Sequence, residues 1–319
     1  MSQWIKQYLS PDEYHAHRLH GVIASGSTPI QRWEIGDLGP YGRALILDGA
    51  IQSAEGDEAC YHEALHLPAQ VVRQNAKRVL MIGGANGGSL PYILLLPYIE
   101  KVVILDIDSS LHASSKYELS HMHRDSLRDT RIEFYFGDPN EVIRASHLLS
   151  GLFDIIILDT PDPTQGSYSS RLFGQENMLL LRQLLSDDGI LVTQAGQAHP
   201  LHCTLSARVF RTFEAVFGVC VPYTANVPSF GTPWAFAATG AHAHDLTSIT
   251  SAEIKLYADP RRDHLRAYDA ETHKHMLAVP LFLRSAWAKE MGRVQPISVT
   301  DLEIAVISPE EVDDRGVPT

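Results

Sequence analysis

The sequence predicts an α/β fold, a Rossmann-like and mainly parallel sheet with a small β domain in front of it. Three observations predict this. Five apolar, β-branched runs recur between residues 78 and 194, and helix-like segments separate most of them. Strands that alternate with helices make a parallel sheet with right-handed crossovers. A glycine-rich turn, Gly83-Gly84-Ala85-Asn86-Gly87-Gly88, comes after the first of those runs. Ahead of them, residues 23–53 read as short strands and turns. The expected organisation is a small N-terminal β domain over 1–56 and a Rossmann-like domain that carries the chemistry over 57–307. An acidic, proline-containing loose tail over 308–319 completes it.

Taken in order, Gln31-Arg32-Trp33-Glu34-Ile35 is a strand, and residues 36–42 are rich in turn formers. Arg43-Ala44-Leu45-Ile46-Leu47 is the next strand, ended by the hairpin signal Asp48-Gly49. From Asp57 the pattern turns helical, with Tyr61, Leu65 and Leu67-Pro68 in a segment of mixed faces. The strands of the main sheet are Arg78-Val79-Leu80-Met81-Ile82, Val102-Val103-Ile104-Leu105-Asp106 and Ile132-Glu133-Phe134-Tyr135-Phe136, then 154–158 and 189–194. Residues 177–185 read as a helix. Trp234-Ala235-Phe236-Ala237-Ala238 reads as a further strand, antiparallel, at the sheet edge.

Composition narrows the function classes. The chain has 319 residues, 45% hydrophobic and 20% charged, enough for one large core and a smaller unit. A net charge of −12 argues against nucleic acid or an anionic membrane as partner and suits a small cationic ligand. The three cysteines, Cys60, Cys203 and Cys220, form no Cys-x-x-Cys pair. That argues against a disulfide framework and for a reducing, cytoplasmic setting. The N-terminus opens no long apolar stretch, so no signal peptide is expected, and the apolar segment 90–99 is too short to span a bilayer. Sixteen histidines, among them His15, His17 and His20, His242 and His244, and His273 and His275, match no metal-ligand framework. No metal site is expected, and scattered surface histidines are the simplest account. The late pairs look like loops or exposed helix faces.

The chemistry concentrates where strands end. Phe153-Asp154-Ile155-Ile156-Ile157 reads as a strand buried on both faces, and Leu158-Asp159-Thr160-Pro161-Asp162-Pro163 comes directly after it. Ligands of open α/β sheets bind outside the carboxyl ends of the strands. Two carboxylates there, Asp159 and Asp162, suit a cationic substrate and can take a proton from an amine; the alternative is a turn. The glycine turn lets a ligand approach the backbone, and it should open a helix. It lacks the Gly-Lys-Ser/Thr of a phosphate loop. Asp106, ending the second strand, can accept from ribose hydroxyls. That pairing serves both dinucleotides and S-adenosyl sulfonium ligands, and the absence of Gly-x-Gly-x-x-Gly tilts the reading to a sulfonium nucleoside. Asp138, after the third strand, can accept from an adenine amino group or be a turn aspartate.

These pieces, in this order, resemble the polyamine aminopropyltransferase family, of which spermidine synthase is the familiar member. Leu47-Asp48-Gly49-Ala50-Ile51-Gln52 and Asp57-Glu58-Ala59-Cys60-Tyr61-His62-Glu63 resemble its first motifs, and 83–88 its glycine motif. Asp159 to Pro163 with Leu172-Phe173, Pro228-Ser229-Phe230 with Trp234-Ala235-Phe236, and Tyr268-Asp269 with His273 resemble the later ones. The resemblance runs from about Trp4 to about Pro280. It implies a fold of the class I S-adenosylmethionine type and transfer of an aminopropyl group from decarboxylated S-adenosylmethionine to a di- or polyamine. It also implies no tightly bound cofactor and a dimer or tetramer of the chain. By the same resemblance Asp159 would accept the proton, helped by Tyr61. Gln52, Gly83, Gly84, Asn86, Asp106 and Asp138 would hold the nucleoside. Asp162, Phe230, Trp234, Tyr61 and His62 would line the amine side.

The chain also departs from the family pattern. Ala85-Asn86 stand where Gly-Asp is usual, removing a charge expected to face the donor's ammonium. An amide there could tolerate intact S-adenosylmethionine, which keeps a transferase of methyl or 3-amino-3-carboxypropyl groups in view. Asp106 replaces a frequent Glu, Phe230 an amine-side Tyr, and Pro91-Tyr92 an Arg-Glu pair, the last a change expected to be structural. Gly56 lacks a usual basic residue. A rival of another class is a catalytically silent nucleoside-binding protein, against which Asp159, Asp162, Tyr61 and Gln52 speak.

Overall fold

The computed structural model describes residues 3–145, 152–163 and 168–298. The tail expected over 308–319 lies outside them.

Three sheets organise the described residues. Strands β1 (Gln3–Ser10) and β2 (Glu13–Leu19) form an antiparallel hairpin of their own. A second, four-stranded antiparallel sheet runs β3 (Gly21–Ser27), β4 (Arg32–Asp37), β5 (Arg43–Leu47) and β6 (Ala50–Ala54). Asp48 and Gly49, both at positive φ (47° and 81°), make the turn between β5 and β6, as the sequence signal predicts. The first hairpin was not foreseen, although Pro11-Asp12 between two alternating runs was a turn signal.

The main sheet comprises β7 (Arg78–Gly83), β8 (Lys101–Asp106), β9 (Ile132–Phe136), β10 (Phe153–Asp159), β11 (Leu185–Gln197), β12 (Val221–Asn226) and β13 (Pro233–Gly240). Its order is β12-β13-β11-β10-β7-β8-β9, with β11, β10, β7, β8 and β9 mutually parallel. Strand β13 is antiparallel, as expected, but it is not the edge. Strand β12 pairs outside it. Pro222 interrupts the β12 run and hid it in the sequence, and an edge strand is where a proline is tolerated.

Alternation along β7 explains the layers. Val79 and Met81 face one core, while Leu80 and Ile82 face the other. The first core is closed by helix α1 (Glu58–Val72), buried along almost its whole length. From β7 the chain builds outward through β8 and β9 on one side, then returns to place β10 and β11 on the other. The crevice between the carboxyl ends of β7 and β10 is therefore a topological switch point. The helix expected after the glycine turn is only the single turn Leu90–Ile93.

The expectation of surface histidines fails at His17, His62, His66, His112, His123 and His273, all buried. His17 is buried, with Nε2 donating to the Ser229 carbonyl at 2.8 Å. His273, expected on an exposed face, is buried between the Tyr268 hydroxyl and the Leu246 carbonyl. Among the described residues no helix is long and apolar enough to cross a membrane.

Candidate active site

A cavity of about 530 Å³ opens at the switch point. Its floor is where β7 and β10 end, and no side chain fits there. A Cβ on Gly83 would lie 2.1 Å from the Asp159 carbonyl oxygen, and one on Gly84 would lie 3.0 Å from Asp159 Oδ2. Both glycines hold positive φ, 83° and 72°. The glycine turn thus brings bare backbone against the carboxylate of Asp159.

Asp159 is oriented by two hydroxyls. Tyr61 on α1 donates to Oδ1 at 2.9 Å, and Ser89, fully buried, donates to Oδ2 at 2.9 Å. Burial, with the Asp159 charge next to it, holds the Tyr61 phenol well above its ordinary range. Tyr61 therefore keeps its proton and acts as a donor. Ser89 was not anticipated; its role comes from lying beside β10 in space, 70 residues away in sequence.

One end of the cavity suits a nucleoside. Asp106 accepts from Ala85 N on Oδ2 (3.0 Å) and from Asp108 N on Oδ1 (2.9 Å), which latches the glycine turn to the end of β8. Burial raises its carboxyl to about 6, against the lowering effect of those backbone bonds. Gln52 and Asn86 line the same cavity. Gln52 donates to the Ala50 carbonyl at 3.3 Å, and Asn86 Oδ1 accepts from Gly88 N at 2.9 Å. Asp138 caps the helix Pro139–Arg144 through Asn140 N, at 2.8 Å. Its carboxylate does the local work of a turn aspartate, and its neighbour Pro139 is the residue that lines the cavity.

The other end is built by distant segments. Phe230, from the single 3-10 turn Pro228–Phe230, meets Tyr61 with ring centroids 5.7 Å apart and Trp234 at 4.7 Å. That turn is clasped. Asp57 accepts from Ser229 N (2.6 Å) and from the Ser229 hydroxyl (3.1 Å), while His17 takes its carbonyl. Trp234 Nε1 donates to Gln194 Oε1 at 3.0 Å, and Gln194 Nε2 donates to the Thr160 carbonyl at 3.1 Å. Residues 6–11 of the first hairpin close this side. Asp162 lies here too, its Oδ1 enclosed without a hydrogen-bond partner among the described residues. Burial pushes its carboxyl up to about 6, tempered by the Gln194 amide.

His62 reaches the cavity beside Gly88 and donates from Nδ1 to Glu58 at 2.8 Å. Glu58 in turn accepts from the Tyr92 hydroxyl at 3.0 Å and pairs with Arg124 and Arg266. Tyr92 is fully buried in this network, in line with the structural reading of Pro91-Tyr92.

The chain is similar to known proteins of one family. Residues 58–248 match a spermine/spermidine synthase domain. A polyamine aminopropyltransferase of Synechococcus sp. (strain JA-2-3B'a(2-13)) is 33% identical over 298 residues, covering 90% of this chain and 93% of the relative. The polyamine aminopropyltransferase 2 of Hyperthermus butylicus is 32% identical over 287 residues, 88% of this chain and 91% of the relative. Among solved structures, a spermidine synthase in complex with the transition-state analogue AdoDATO superposes with a TM-score of 0.80. It is 24% identical and covers 92% of this chain and 96% of its own. The spermidine synthase from Thermotoga maritima gives a TM-score of 0.79 at 24% identity, covering 92% of this chain and 95% of its own. These two show the shared fold.

Proposed function

The chain belongs to the spermine/spermidine synthase family, and from that premise we propose that it transfers an aminopropyl group from decarboxylated S-adenosylmethionine to a di- or polyamine. The observation that carries this is Asp159, braced by Tyr61 and Ser89 at the meeting point of the cavity's two ends. An alkylammonium with pKa near 10.4 must lose a proton before it can attack. A fixed carboxylate is a suitable acceptor, and each Asp159 oxygen keeps a second lone pair for it.

The family resemblance and the lining of the cavity support a role for each residue. Gln52, Gly83, Gly84, Asn86 and Asp106, which line the cavity, hold the nucleoside. Asp162, Phe230, Trp234 and His62 shape the amine side. The amine nitrogen attacks the methylene beside the sulfonium, the C–S bond breaks, and methylthioadenosine leaves. The proton passes to Asp159. Much of the acceleration is positioning, because two reactants held in attack geometry gain several kcal/mol over free encounter.

Incubation with decarboxylated and intact S-adenosylmethionine separately, each against a panel of amines, tests the reading by mass spectrometry. Aminopropylated amine and methylthioadenosine are expected from the decarboxylated donor. Aminopropylation of no amine, or methylated product only, would overturn it.

A further inference from the structure

The amine end of the cavity contains two glutamines that look alike in sequence and differ in how they are bonded. Gln194 is saturated. Its Nε2 serves the Thr160 carbonyl, and its Oε1 accepts from Gly196 N at 2.7 Å as well as from Trp234. Gln197, three residues on at the end of β11, is half used. Its Nε2 donates to the Leu9 carbonyl at 2.8 Å, which ties the first hairpin to the main sheet. A carbonyl only accepts, so this bond fixes the amide orientation. Oε1 must be the group turned the other way. That oxygen is enclosed in the cavity wall and has no partner among the described residues.

It has company. Asp162 Oδ1 and Thr160 Oγ1, on the loop that crosses this end of β11, are likewise enclosed and unpartnered. The loop and the strand are close, since a Cβ on Gly196 would lie 3.6 Å from Asp162 Oδ2. Buried acceptors left without donors are rare and costly, and a cluster of them at a cavity wall fits a ligand that brings N–H groups. An ammonium brings three donors and a charge that matches Asp162.

We propose that Gln197 is a specificity-determining residue for the acceptor, its Oε1 sharing with Asp162 Oδ1 the nitrogen of the amine that does not react. This rests on the aminopropyl-transfer reading above. A monoamine of the same length would leave both acceptors unanswered, so the site rejects it. A site built around hydrogen bonds discriminates against analogues that lack them far better than an apolar pocket does.

The test uses Gln197→Leu and Gln197→Glu. Steady-state kinetics would use the straight-chain diamine, from three to five carbons, that the wild type turns over best, with its monoamine counterpart alongside. Calorimetric binding of the same amines in the presence of methylthioadenosine would accompany them. Gln197→Leu is expected to raise the diamine KM by roughly ten- to hundredfold, to narrow the diamine-over-monoamine ratio, and to leave kcat and methylthioadenosine affinity within about twofold. Gln197→Glu loses the tie to Leu9 but keeps an acceptor and adds charge, so its diamine affinity should match or exceed that of wild type. If Gln197 only tied down the hairpin, both variants would lose affinity alike, and that result overturns the proposal. So does an unchanged KM in Gln197→Leu. Should Gln197→Leu fail to bind methylthioadenosine through misfolding, Gln197→Glu against wild type on the diamine-over-monoamine ratio reads the same contact. A wild type that binds methylthioadenosine yet aminopropylates no amine would instead bring down the function proposed above, and this inference with it.

Discussion

The two ends of the cavity differ in how far the protein has satisfied its own polar groups. At the nucleoside end the carboxylates and amides are held by nearby backbone. Asp106 latches Ala85 and Asp108, Asp138 caps a helix, and Asn86 braces Gly88. At the amine end the polar groups come from distant segments and are left part-open, with Asp162 Oδ1 and Gln197 Oε1 lacking partners among the described residues. The first end is a preformed frame, held by the chain's own hydrogen bonds. The second is completed by its ligand, so substitutions there should act on amine affinity and acidity, while substitutions in the frame should be milder or act on donor choice.

Asp159 lies where the two ends meet, and its loss should have the largest effect. Asp159→Asn is expected to lower kcat by about 10²–10⁴ while methylthioadenosine binding changes little. Retention of most activity would move the base elsewhere, to Tyr61 or Asp162, and would erase the meeting point on which the comparison depends.

Asp162 should come next, and it carries the pH signature of the open end. Its carboxyl is raised from the ordinary 3.8 to about 6, so it takes up a proton as pH falls through that value and loses the charge an ammonium needs. The amine KM is expected to climb about tenfold per pH unit below about 6. Asp106 is raised to about 6 as well, and protonation there removes an acceptor from the ribose side. Donor affinity should therefore fade over the same window. Asp162→Asn separates the two: its amine KM, raised at neutral pH, should become flat between pH 5 and 7, while its donor affinity keeps the acid limb. A variant that kept both limbs would place the amine's counter-charge elsewhere.

The difference between the ends also explains how much could be read in the sequence. Strand β10 and Asp159 were legible because a run such as Ile155-Ile156-Ile157 can only be buried on both faces, and the residues just after it must lie at the sheet's carboxyl end. Asp106 was legible for the same reason, on β8. At the amine end Tyr61, His62, Asp162, Phe230 and Trp234 were reached through the family resemblance, and all five line the cavity, but the contacts that hold them were hidden. Ser89, Gln194 and Gln197 are ordinary polar residues until β10, Trp234 and Leu9 fold against them. His17 looks like a surface histidine until Ser229, 212 residues away, supplies the carbonyl that lets it be buried. Local pattern records which face is buried; it does not record a partner brought in from elsewhere in the chain.

The Asp57 clasp tests whether the amine wall is held from a distance. Asp57→Ala leaves the buried amide and hydroxyl of Ser229 without their acceptor, which should cost about 1–3 kcal/mol of stability, read by chemical unfolding. Freed, the 228–230 turn should let Phe230 drift from Tyr61 and raise the amine KM severalfold, with donor affinity unaffected. Equal losses on donor and amine would mean that the two ends are not separately supported.

The narrowest effect is expected at Asn86, within the frame itself, on donor choice alone. Its Oδ1 is committed to Gly88 N, and that N–H can only donate, so the group left to face the cavity is the amide NH₂. An amide nitrogen offers nothing to a donor's ammonium and tolerates a carboxylate. Asn86→Asp would keep the brace through one oxygen and turn a charged oxygen to the cavity in place of the NH₂. Two unit charges near 4 Å interact by about 4 kcal/mol at an effective dielectric of 20, an upper guide for so solvated a site. A third of that is about tenfold in affinity. Asn86→Asp should therefore raise the preference for decarboxylated over intact S-adenosylmethionine by about tenfold, measured by competition between the two donors, with the amine KM unmoved. An unchanged donor ratio would mean that Asn86 serves only to brace the glycine turn. A shift in amine KM would show that the nucleoside end, too, is shaped by the ligand bound at the other.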